Sequence, residues 1–179
     1  MKNITPIPRV FRHLGFTLLE LMVVVMIVAI LSAIAIPSYQ AYVVRSQRAS
    51  AEAQMQRIAG ELAAFRSKNL SYVSFDPTYM YGTSVDATKS KITLPVGATG
   101  NNIQYTLSIY DVSVSSTPLI LSAGAALGRQ WAISAAINPT NSLSTTNYNL
   151  LLTSLGVKCM TKNTINSPFL TCGTGSVDW

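Results

Sequence analysis

The sequence is poor in charge. Only 11% of its 179 residues are Asp, Glu, Lys or Arg, against roughly 25% in an ordinary soluble domain. Acids are the scarcer sign, 7 against 13 Lys and Arg, which leaves a net charge of +6. A single histidine, His13, leaves no basis for a histidine-ligated metal centre or a Ser-His-Asp triad. The cysteines, Cys159 and Cys172, stand too far apart for a CxxC redox pair. Neither GxxxxGK(S/T) nor GxGxxG occurs. No catalytic constellation is found, so the protein is not expected to be an enzyme, and neither a metal nor a cofactor is expected. What the chain has in quantity is apolar side chains, 49% of the total, too many for a charged disordered chain. Its length suits one domain with an appendage.

The apolar weight is concentrated in residues 16–36, FTLLELMVVVMIVAILSAIAI, just before Pro37. As a helix these 21 residues would cover about 31 Å, the thickness of a bilayer core. The stretch before them carries Lys2, Arg9 and Arg12 and no acid. The positive-inside tendency therefore holds that end in the cytoplasm and sends the rest outward. From Phe16 onward the excess is only +3, ten bases against seven acids with no dense basic cluster, which gives a nucleic-acid reading weak support.

Three readings of the block compete. A secretory signal peptide could be cut at Ala33-Ile34-Ala35, but the run is long for such a segment. An uncleaved anchor is the second. Both must account for Glu20, because a carboxylate in hydrocarbon costs about 2.5–3.5 kcal/mol on insertion scales. The third rests on Gly15-Phe16-Thr17-Leu18-Leu19-Glu20 behind a short basic leader. This motif resembles the processing site of type IV prepilins and related pseudopilins. The resemblance implies cleavage between Gly15 and Phe16 by a membrane prepilin peptidase and N-methylation of Phe16. It also implies that Glu20 pairs with a neighbouring subunit's new amino terminus. Glycine before the cut lets the backbone enter the peptidase extended. A buried charge pair is tolerated only when matched, so Glu20 would act as a register device for assembly.

Pro37 falls where many members of that family carry a helix-bending proline. It lacks a backbone donor and crowds the preceding turn, so a bend or local melting is expected near residues 33–37. The chain after it is rich in Ala, Gln, Arg and Glu, and continues the helix to a stop at Lys68 and Asn69. Ala41, Val44, Ala51, Met55, Ile58, Leu62 and Phe65 form an apolar stripe. The part from Met55 to Phe65 is expected to pack on a sheet. Residues 38–53 are expected to project beyond the head, with their charges facing neighbouring subunits.

Residues 72–100 read as a long connection with Pro77, Gly82, Pro95 and Gly97. Strand patterns follow at residues 103–110, 119–122, 131–137 and 148–153, the first alternating Ile103, Tyr105, Leu107 and Ile109 inward. Trp131 and the tyrosines suit core and cross-strand positions. One helix followed by adjacent strands predicts an α+β head with an antiparallel sheet. The resemblance supplies the same type IV pilin fold, a long N-terminal helix packed on the sheet. Residues 1–15 are then the leader, 16–36 the membrane and filament-core helix, and 37–69 its amphipathic half. Residues 70–101 form the helix-to-sheet loop, and 102–179 the sheet with a C-terminal disulfide loop. The family resemblance also implies a Cys159–Cys172 disulfide, in keeping with an oxidising space outside the membrane.

The function so implied is that of a structural subunit of a type IV pilus, most like a type IVa minor pilin involved in pilus assembly. Its partners would be other pilin subunits, the prepilin peptidase and the inner-membrane assembly platform. It would sit in the bacterial inner membrane with its head in the periplasm, then pass to the fibre at the cell surface. A major pilin and a type II secretion pseudopilin are alternatives. So is a DNA-binding competence pilin, for which Lys89, Lys91, Arg129, Lys158 and Lys162 are the available head cations.

Overall fold

A computed structural model describes residues 16–113, 117–118 and 127–179. The leader and the strand expected at residues 119–122 lie outside the described residues. The chain divides into two compact units, Met1–Tyr39 and Gln40–Trp179, and the second is called the head below.

Helix α1, Leu18–Asn69, begins in the first unit and ends in the second. Thr17 caps it: the Glu20 N–H donates to Thr17 Oγ1 at 3.2 Å, satisfying one of the orphan donors of the first turn. Its other end closes on Leu70, whose φ of 61° and N–H bond to the Arg66 carbonyl at 2.8 Å form a left-handed cap. The expected melting near residues 33–37 is absent, because α1 is helical straight through Pro37. Proline removes a single helix donor, and the strong helix formers on both sides hold the turn.

In the head, α2 (Thr78–Tyr81) follows α1, and seven antiparallel strands follow: β1 (Lys91–Leu94), β2 (Tyr105–Asp111), β3 (Thr117–Pro118), β4 (Trp131–Ile137), β5 (Asn149–Thr153), β6 (Lys158–Thr161) and β7 (Val177–Asp178). The sheet order is β1-β2-β4-β5-β6-β7, with β3 paired to β2. β2 alternates as expected, with Tyr105, Leu107 and Ile109 buried. In register, Leu107 faces Ala135 and Ile109 faces Ile133. Ile133 faces Leu152, and Leu152 faces Lys158. This sheet face packs against Ala51, Met55, Ile58 and Leu62 of α1.

Two expectations need correction. The helix reaches the head earlier than expected: Val44 and Ala51 are already buried, so residues 40–53 do not simply project. Small or β-branched side chains there let the helix lie close to the strands. Nor is residues 72–100 only a loop, since β1 forms within it. Four residues are too short to raise a period-two signal. The sheet is also covered on both faces, which is why five successive residues of β4, from Trp131 to Ala135, are buried. On the face away from α1, Ala132, Leu151 and Cys159 pack with Ile165 and Cys172 of the C-terminal loop.

Asp111 ends β2 at an inward position and is fully buried. Its carboxylate accepts the Ser113 N–H at 2.8 Å and the Gly128 N–H at 2.7 Å. It thereby ties β2 to the chain just before β4. Asp111→Ala is expected to cost about 2 kcal/mol, because a buried N–H without a partner costs about 1–3 kcal/mol. Denaturant unfolding checks this, and a loss under about 0.5 kcal/mol would remove the tie from the account.

Candidate functional site

The described start of the chain is an apolar rod. Phe16 is 83% exposed, and the large apolar side chains from Leu18 to Ile36 are all exposed. The segment is long and apolar enough to cross a membrane. Glu20 is its one acid and sits in the first turn of α1, where a carboxylate is favoured by the helix dipole. Thr17 and Glu20 stand at capping-box spacing, a local role for both that the motif reading had not included. Gly15 lies outside the described residues, and Pro37 is inside α1.

Cys159 and Cys172 are joined, with Cα atoms 6.0 Å apart. The bond closes a loop that folds back over the sheet, carrying Ile165 and Phe169 onto the second core. The Phe169 ring stacks on Tyr110 of β2, with centroids 4.2 Å apart and planes within 10°.

The head cations do not form one cluster. Lys89 and Lys91 belong to the β1 corner, which also holds Asp76 and Asp86. Lys89 Nζ donates to Asp76. That ammonium and the Thr78 donors draw the Asp76 carboxyl down to about 2. Burial by itself would raise the Asp86 carboxyl. The Thr88 hydroxyl and the N–H groups of Lys91, Ser90 and Thr88 outweigh it, so Asp86 titrates below the usual range. Arg129 is separate again, just before β4.

Lys158 and Lys162 lie four strands from β1, at the start of β6 and just after its end. The Lys158 ammonium is 5.9 Å from the Trp179 ring centre, and the Lys162 ammonium 5.3 Å from that of Tyr148. Arg48 of α1 lies 5.5 Å from the same Tyr148 ring. Its Nη1 is 3.5 Å from Met160 Sδ, and its Nε is 3.7 Å from Glu52. Arg48, expected to face a neighbouring subunit, is thus held within its own head. Sequence reading had treated Tyr148 only as a filler. The β5–β6 register pairs Asn149 with Thr161, which makes Tyr148 and Lys162 the next pair along.

Comparison with known proteins decides the family. The N-terminal methylation motif of prokaryotes matches residues 11–36. The model of type IV minor pilin ComP, a DNA uptake sequence receptor, matches residues 37–135, more than half of the chain. The chain belongs to this type IV minor pilin family. The pilin is 50% identical over 58 residues to a fimbrial protein of Pseudomonas aeruginosa, covering 31% of the pilin and 38% of that relative. It is 35% identical over 101 residues to the type IV major fimbrial protein FimA of Dichelobacter nodosus, covering 54% and 65%. With a type IV major alpha-pilin of Moraxella bovis it shares 52% over 50 residues, covering 28% and 27%. The pilin thus spans between about a quarter and two thirds of these relatives' lengths. No solved structure matches it.

Proposed function

We propose that this protein is a minor subunit of a type IV pilus that serves the fibre in DNA uptake. The observation that carries the reading is the match of its amphipathic helix and half of its head to the DNA-receptor pilin model. The apolar rod headed by Phe16 and Glu20, and a head with unpaired surface cations, support it. On this reading the peptidase cuts between Gly15 and Phe16, and Phe16 is methylated. The head faces the periplasm until the rod leaves the bilayer and packs among the rods of other subunits. The work of extension comes from partner proteins.

The decisive measurement is mass spectrometry of the protein in sheared surface fibres. A chain beginning at N-methylated Phe16 supports the reading. A chain retaining residues 1–15, or one cut after Ala35, overturns it. Within such fibres Glu20→Ala is expected to be processed normally but incorporated several-fold less well, because an amino terminus buried without its acid is uncompensated. Immunoblots comparing fibre and membrane fractions check this, and wild-type incorporation would remove Glu20 from the assembly mechanism.

A further inference from the structure

We propose that duplex DNA is held across strand β6, with Lys158 and Lys162 on phosphates at the two sides of one groove. The inference rests on the DNA-uptake reading above and assigns it a surface.

Charge separates the β6 edge from its competitor. In the β1 corner Lys89 is ion-paired to Asp76, and the Asp86 carboxylate accepts the backbone N–H of Lys91. A phosphate there would have to displace or endure two carboxylates. Among the described residues the ion pairs are Lys89–Asp76 and Arg48–Glu52. The undescribed stretches contain no acid, so Lys158 and Lys162 have no carboxylate partner. Each rests against an aromatic face instead. Such a contact steadies an ammonium while leaving its N–H donors available to an anion.

Spacing then fits the ligand. Lys158 and Lys162 are four residues apart, about 13 Å along an extended chain at about 3.3 Å per residue. The major groove of B-form DNA is about 12 Å wide. Lys158 and Met160 lie on the sheet face that meets α1, since Lys158 pairs with Leu152 and Met160 with Leu150. Arg48 reaches both Met160 and the ring beneath Lys162 from that side. The two ammoniums therefore flank one side of the head, with Arg48, itself ion-paired to Glu52, between them and α1.

The rings are themselves fixed. Trp179 donates its Nε1–H to the Cys159 carbonyl at 3.0 Å. Next to it is an open cavity of about 440 Å³ lined by Gly156, Val157, Lys158, Asp178 and Trp179. Asp178 also lines it, but Asp178 pairs with Cys159, so its side chain lies on the sheet face away from Lys158.

The test is binding of a fluorescein-labelled mixed-sequence duplex to the full chain in detergent, across a range of salt. Phosphate contacts make log K fall with log salt by about 0.9 per contact. The K158A/K162A double variant is expected to reduce that slope by about 2. K89A/K91A should leave it unchanged. Equal thermal melting of the variants guards against unfolding. If K89A/K91A lowers the slope and K158A/K162A does not, the surface is wrong while the uptake reading stands. If the wild-type chain binds no duplex at low salt, the uptake reading itself fails.

Discussion

Gly128→Ala is expected to destabilise the head by about 3 kcal/mol, combining a left-handed penalty of about 1–2 kcal/mol with overpacking of about 1–3 kcal/mol. Gly128 has φ of +59°, and an added Cβ would overlap Ser71 Oγ, with Val73 Cγ2 at 2.6 Å and the Val73 backbone nitrogen at 2.7 Å. A hydroxyl can rotate away, but a backbone nitrogen cannot. Gly128 is also fixed from two sides. Its N–H donates to Asp111, and its carbonyl accepts the Tyr72 N–H at 3.0 Å. The glycine therefore joins the chain just beyond α1 to the end of β2, and shifting it breaks one bond or the other. For a chain of this size the midpoint should fall by about 6–12 °C. Thermal unfolding followed by circular dichroism checks this. Adding Ser71→Ala should recover little, since Val73 remains. A midpoint within about 2 °C of wild type would mean the segment from Ser71 to Val73 yields easily.

This junction shows where the sequence stops being legible. The helix could be read because an apolar stripe and good helix formers run together over many turns. Strand β2 could be read because Tyr105, Leu107 and Ile109 alternate cleanly. The same alternation carries Asp111 to an inward position, so a signal for a buried acid was present. Its partner Gly128 is 17 residues away, beyond anything local periodicity reports. β1, β6 and β7 have four, four and two residues and exist because a neighbour supplies hydrogen bonds, not because their own pattern demands a strand. The assembly end of the chain was the reverse case. There the reading is linear and rests on six consecutive residues, 15–20.

The basic edge falls between these extremes. Each of Lys158 and Lys162 is visible as a head cation in the sequence, yet its aromatic partner is set by strand pairing. Trp179 reaches Lys158 only because β7 adds to β6, with Cys159 opposite Asp178. The β1 cations look equivalent in the sequence and differ in the fold, where Asp76 pairs with the Lys89 ammonium and Asp86 is held by backbone N–H groups of the same corner. Net charge alone could not separate the two sets, because the acids concerned are scattered through a connection with little periodicity.

Replacing Cys159 and Cys172 together by serine should cost about 3 kcal/mol, the chain-entropy value for a ring of roughly 14 residues. The midpoint should fall by about 6–12 °C. The cost has a definite place in the structure. Both cysteines are 5% exposed and belong to the second core with Ala132, Leu151 and Ile165. The loop they close covers a sheet face whose own side chains are apolar and would otherwise meet water. Two hydroxyls buried there would also need partners that this core does not offer. Hydrogen exchange should therefore speed up first in residues 162–176. The β2–β4 centre, held from the other face by Met55, Ile58 and Leu62, should stay protected. If exchange rises uniformly across the sheet, the loop is part of one cooperative core. If the cost is below about 1 kcal/mol, Ile165 and the Phe169–Tyr110 stack hold the loop without the covalent bond. Loss confined to the loop would show that the helix face sustains the fold, while the crosslink keeps the opposite face of the sheet covered.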